Sequence, residues 1–205
     1  MTSSNLMKEL QQSCVREIDK DVWLIEGYLG DNFLNVPPSS NCYIMRDGDA
    51  LYLIDTGYYP FYRTRMLEII NRYKKEGVKR VVLMLTQGHF DHASNNVILR
   101  ECGLPWEFLL PEPEVKIINF LENFLEDIES IGEYEDVFTT MFPMKGQLMA
   151  LRAANAVSTK LAKKLLSLSI GQIMGGIETL ADKAKILYLK DRVTKRFGNA
   201  ELMGW

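Results

Sequence analysis

Apolar positions in the first half of the chain fall in short runs rather than long periodic stretches. Val22-Trp23-Leu24-Ile25, ended by Glu26-Gly27, reads as a strand and a turn. Asp31 to Ser40 is rich in Asn, Pro and Ser and predicts a loop. Asn41-Cys42-Tyr43-Ile44-Met45-Arg46 predicts a strand, and Asp47-Gly48-Asp49 a hairpin turn. Ala50-Leu51-Tyr52-Leu53-Ile54 is the returning strand and runs directly into Asp55-Thr56-Gly57. The period then changes. Behind Pro60, the residues Met66, Leu67, Ile69, Ile70 and Tyr73 recur at helical spacing, and Gly77 suits the helix end. Val81-Val82-Leu83-Met84-Leu85 predicts a buried strand, Asn95 to Glu101 a helix stopped by Cys102-Gly103, and Leu104 to Leu110 a further strand. The alternation is that of an α/β layered fold.

The character changes after Pro111. A helix starting at Pro113-Glu114 carries Val115, Ile118, Leu121, Phe124, Leu125 and Ile128. Gly132 to Pro143 reads as a connection. Gln147 to about Tyr188 is rich in Ala, Leu and Lys and predicts helices divided by Gly171, Gly175 and Gly176. The chain therefore divides into residues 1–112, an α/β half, and residues 113–205, an all-helical insertion or cover segment that leads to a truncated strand. Phe197 to Trp205 reads as a turn followed by the approach to something apolar.

Composition narrows the function classes. The 205 residues are 47% hydrophobic and 25% charged, enough to bury a sizeable core. A net charge of -3 gives no reason to expect nucleic acid. No segment nears the ~20 uninterrupted apolar residues of a membrane span. Met1 to Ser13 is polar and lacks the apolar core of a secretory signal, so the cytoplasm is the expected location. Acids dominate from Pro111 to Thr140 and bases from Met144 onward, which reads as solvated helix faces. Cys14, Cys42 and Cys102 are widely spaced and odd in number, as free buried thiols of a reducing compartment would be.

The chemistry concentrates in Thr86-Gln87-Gly88-His89-Phe90-Asp91-His92, which holds both histidines of the chain. It lies just beyond the Val81 to Leu85 strand, where a loop would carry functional groups. Imidazole and carboxylate at this density suit a divalent metal such as zinc, with iron or manganese as alternatives. Taken singly, each of these residues could equally be a satisfied polar loop residue.

The pair of strand ends, Leu53-Ile54-Asp55-Thr56-Gly57 and Thr86-x-Gly88-His89-x-Asp91-His92, resembles the metallo-β-lactamase fold superfamily, which includes glyoxalase II-like thioesterases, lactonases and phosphodiesterases. The resemblance covers about Val22 to Pro113. It implies an αββα sandwich of which this chain holds an incomplete part, and hydrolysis of an ester, thioester, lactone or phosphoester through metal-bound hydroxide. It also implies that His89 serves one metal, that Asp91 and His92 serve a second, and that Asp91 orients the attacking water. Asp55 would brace the ligand loop by hydrogen bonds. The family motif His-x-His-x-Asp-His departs here at its first position, which is Gln87, a weaker neutral ligand. The family's later ligands, a histidine after a Pro-Gly turn, an aspartate and a final histidine, have no evident counterpart; Asp182 and Asp191 lie in Lys-rich sequence and are not read as ligands. Leu202-Met203-Gly204-Trp205 looks like the start of the strand that leads to the Pro-Gly-His turn, so a truncated fold with an impaired or inactive site is expected. The alternatives are a catalytically dead binding or scaffold protein, or a fragment completed by another chain. A second copy covering an exposed sheet face is the expected partner, besides an unidentified small-molecule substrate.

Overall fold

The computed structural model of the chain describes residues 3–30, 38–114, 153, 156–158, 186–190, 194–197 and 200–203. Helix α1 (Ser3–Ser13) leads into strand β1 (Val15–Asp19), and a turn at Lys20-Asp21 returns the chain as β2 (Val22–Ile25). Strands β3 (Cys42–Asp47) and β4 (Ala50–Ile54) follow, then helix α2 (Pro60–Lys75) and strand β5 (Arg80–Met84). The short helices α3 (Phe90–Ala93) and α4 (Ile98–Glu101) lead to β6 (Trp106–Pro111) and a 3₁₀ turn at Glu112–Glu114. Strand β7 (Ile186–Leu189) and the strands β8 (Thr194–Phe197) and β9 (Ala200–Met203) complete the described elements.

Strands β1 to β7 form one sheet in sequence order. The first four run antiparallel, and β4, β5, β6 and β7 run parallel to one another. The predicted β3–β4 hairpin forms with Asp47 paired to Ala50, so Gly48 and Asp49 are the central turn residues. Gly48 adopts φ 59°, the positive φ that a tight hairpin needs at its first central residue. Strands β8 and β9 pair antiparallel with each other in a separate two-stranded sheet.

The central strands are apolar at nearly every position because both of their faces are covered. On one face Leu51, Leu53, Val81, Leu83, Phe108 and Leu110 are buried beneath α2. The apolar stripe of α2 fills that layer with Tyr62, Met66, Ile69, Ile70 and Tyr73, each side chain contributing about 2 kcal/mol by removal from water. Pro60 opens the helix without presenting an unpaired N–H, and Gly77 follows its end at φ 99°. On the opposite face Ala50, Tyr52, Val82 and Leu109 are also buried, with Met45, Met84 and Leu187 packed against them. Cys14, Cys42 and Cys102 are free and buried, and burial raises all three thiols.

Several expectations from sequence are corrected by the fold. Helix α1 and strand β1 were not expected. The helix predicted from Asn95 to Glu101 is confined to α4 at Ile98–Glu101, and a separate short helix, α3, lies ahead of it within the Thr86–His92 loop and Ala93. The helical expectation to about Tyr188 fails at Ile186–Leu189, which pairs in parallel with β6, Phe108 opposite Ile186. Strand β8 likewise stands in the segment read as helical, while β9 overlaps the strand expected to start at Leu202. A four-residue apolar run carries no periodicity that separates strand from helix, and here a waiting sheet edge decides it. The helices expected over Val115 to Ile128 and most of Gln147 to Tyr188 lie outside the described residues, as do Asp182, Asp191 and the loop residues 31–37. No helix among the described residues is long and apolar enough to cross a membrane.

Candidate metal centre

The parallel strands β4 and β5 point the same way, so their C-terminal ends deliver Asp55 and the Thr86–His92 loop side by side, where a parallel sheet places its chemistry. Asp55 is buried and takes φ 58°, a left-handed conformation that aspartate tolerates better than most residues. That twist aims its carboxylate at the neighbouring loop. Its Oδ1 accepts the Thr86 backbone N–H at 2.8 Å, and its Oδ2 accepts the Thr86 hydroxyl at 2.7 Å and His92 Nδ1 at 2.8 Å. Asp55 thus makes three hydrogen bonds to the Thr86–His92 loop.

The main chain of the loop is fixed equally firmly. His89 caps α3, and the N–H groups of His92 and Ala93 both donate to its carbonyl at 3.0 Å. The His92 carbonyl accepts the N–H groups of Thr56 at 2.7 Å and Gly57 at 3.2 Å, and lies 3.1 Å from the Thr56 hydroxyl. Buried Asn95 directs its amide N–H groups at the carbonyls of Thr56, Gly57 and Tyr59 at 2.9, 3.1 and 3.1 Å. Together these bonds lock the Asp-Thr-Gly turn to the ligand loop. Gly88 N–H donates to the Glu114 carboxylate at 2.7 Å, and Ser40 N–H to the Asp91 carbonyl at 3.0 Å.

Thr56, Asn95 and Glu114 hold the loop by hydrogen bonds that the sequence does not foretell. Asn95 lies three residues past His92 and becomes fully buried, a placement that local pattern does not announce. Glu114 lies just past the C-terminal end of β6, and position at that edge is the signal that could have found it.

With Nδ1 committed to Asp55, His92 has only Nε2 left to offer. That nitrogen lies 3.4 Å from Asp91 Oδ2 and 2.5 Å from Gln87 Nε2. Gln87 Oε1 in turn lies 2.9 Å from His89 Nδ1. One carboxamide thus spans both imidazoles. An amide donates at one end and accepts at the other, so turning it over serves either tautomer or charge state of the pair. Burial disfavours charge on His92, but the hydrogen bonds and charges of Asp55 and Asp91 outweigh it and raise the ring to about 9. Burial likewise acts to raise Asp91, and the hydrogen bond and charge of His92 overcome it and hold the carboxyl below its ordinary value.

The donor set fits a cation in part. Asp91 and His92 Nε2 face each other, and a carboxylate orients the ring from behind, as metal-ligating histidines require. His89 is turned to Gln87 instead. Among the described residues no three His, Cys, Asp or Glu side chains converge as a metal centre would need. Tyr59 and Tyr62 are buried in the helix-start packing, while half-buried Tyr58 leans on Phe90 of the ligand loop with ring centroids 4.9 Å apart.

Residues 35–102 match the family model described as the metallo-beta-lactamase superfamily. No curated protein matches the chain. A beta-lactamase domain protein from Burkholderia ambifaria aligns at 12% identity and TM-score 0.50, over 91% of this chain and 45% of its own. A metallo-beta-lactamase from Pontibacter korlensis aligns at 24% identity and TM-score 0.40, over 54% and 47% of the two chains. The FIM-1 enzyme from Pseudomonas aeruginosa, solved in a mono-zinc form, aligns at 20% identity and TM-score 0.38, over 50% and 43%. The chain spans less than half the length of these solved structures.

Proposed function

We propose, for a chain whose residues 35–102 match the metallo-β-lactamase superfamily and whose sheet has that fold, that the Thr86–His92 loop is the ligand loop of a metal-dependent hydrolase and is impaired as it stands. The observation that carries this reading is the hold of Asp55 on His92 Nδ1 at 2.8 Å, which leaves Nε2 beside Asp91. By the resemblance His89 would belong to one metal subsite and Asp91 and His92 to a second, zinc before iron or manganese, and Asp55 would fix the His92 ring. The metal would supply a hydroxide nucleophile near neutral pH for an ester, thioester, lactone or phosphoester. Impairment is supported by Gln87, whose neutral amide stands where the motif has imidazole.

The test is zinc titration of the purified chain followed by metal analysis. Weak binding of about one equivalent is expected, lost in Asp91→Asn and in His92→Ala, with ester and lactone turnover near that of Asp91→Asn. Equal zinc uptake by the wild type and both variants would refute the ligand assignment. Two tightly held zinc ions per chain would refute the impairment. A second reading, in which another chain supplies the remaining ligands of a working site, is favoured by the completeness of the Asp55–Thr86–His92 bracing. It predicts that turnover rises more steeply than linearly with protein concentration. A catalytically dead binding protein predicts neither zinc dependence nor turnover.

A further inference from the structure

We propose that Gln87 is a plug rather than only a lost ligand: its carboxamide ties His89 to His92 and occupies the one ring nitrogen through which His92 could take an ion, which enters by displacing it. The inference rests on the reading of this loop as a metal-site loop. A ring nitrogen whose lone pair accepts an N–H, or that itself carries a proton, cannot ligate a metal at the same moment. His92 Nδ1 is already taken by Asp55, so Nε2 is the one atom through which His92 can bind an ion, and Gln87 Nε2 sits on it at 2.5 Å. The other end of the same amide holds His89 Nδ1 at 2.9 Å. A residue that had merely ceased to bind metal would leave both rings without this bridge.

The bridge costs little ordering. Gln87 is two residues from His89 and five from His92. The loop between them is already pinned by Asp55 at Thr86, by Glu114 at Gly88, and by Thr56 and Gly57 at the His92 carbonyl. Asp91 stands at 3.4 Å from His92 Nε2, outside the bridge and able to take an ion once the amide swings away.

The two accounts of Gln87 predict opposite signs. Zinc chloride titrated by calorimetry into the wild type, Gln87→Ala and Gln87→Leu separates them. A plug predicts that both variants, which add no ligand, bind zinc about tenfold more tightly, as two modest hydrogen bonds no longer compete. Affinity equal to or below that of the wild type in both variants overturns the plug while leaving the ligand loop intact. If none of the proteins takes zinc, the metal-site reading falls, and ¹⁵N spectra of the metal-free histidines decide the bridge by themselves. Removal of Gln87 should then shift the His89 Nδ1 and His92 Nε2 resonances and spare His92 Nδ1. Unchanged ring resonances overturn it.

Discussion

Gly57 occupies a position where no side chain fits. A Cβ there would lie 2.2 Å from Cδ2 of Tyr62, a ring buried in the core, and Gly57 takes φ 68°. Gly57→Ala therefore meets both a backbone penalty and an immovable ring. It should lower stability by about 3 kcal/mol in urea unfolding, and should disturb His92, whose carbonyl Gly57 caps. At this scale the sequence was readable where chemistry is unusual. Asp55, Gln87, His89, Asp91 and His92 stood out by type and spacing, and the structure brings them together. Thr56, Asn95 and Glu114 did not, because a buried amide satisfying three carbonyls is a property of the folded turn and leaves no local pattern. Nor could the sequence say that Gln87 reaches both imidazoles. A departure from a motif names the imidazole that is missing, and is silent about which neighbours the carboxamide bonds in its stead.

Among elements, α2 is tied to the sheet by more than its apolar stripe. Tyr73 is fully buried, and its hydroxyl accepts Trp23 Nε1 at 3.0 Å from β2 and donates to Asp21 Oδ1 at 3.0 Å in the β1–β2 turn. Tyr73→Phe keeps the ring and strands the indole N–H. A loss of about 1–2 kcal/mol in thermal or urea unfolding is expected, with no change in zinc affinity. The β3–β4 hairpin, α2 and β5 were legible because turn residues, a helical stripe and a continuous apolar run each have a distinct signature. β1 was not, since Val15-Arg16-Glu17-Ile18-Asp19 is an edge strand with most of its side chains exposed and reads as polar sequence. β7 was not, since its place is set by the open side of β6 rather than by its own residues.

Across the whole molecule, order should follow coverage. Amides of β4 and β5, paired on both sides and covered on both faces, should exchange hydrogen slowest. β1, at the sheet edge, and the β8–β9 pair should exchange fastest. Mass-spectrometric exchange over minutes to hours checks this, and equal protection of β1 and β5 would contradict the layering. The parallel run of β4 and β5 has one further effect. Since both strands spend their C-terminal ends on Asp55 and the His89–His92 loop, the start of each strand lies at the far edge of the sheet. The Gly48–Asp49 turn sits there, with nothing within 4 Å of where a Gly48 side chain would begin. Five strand residues, about 16 Å, separate it from Asp55. A fluorophore or surface tether grafted at Asp49 would leave the ligand loop facing outward, so that metal uptake could be followed on an immobilised, uniformly oriented layer of this protein.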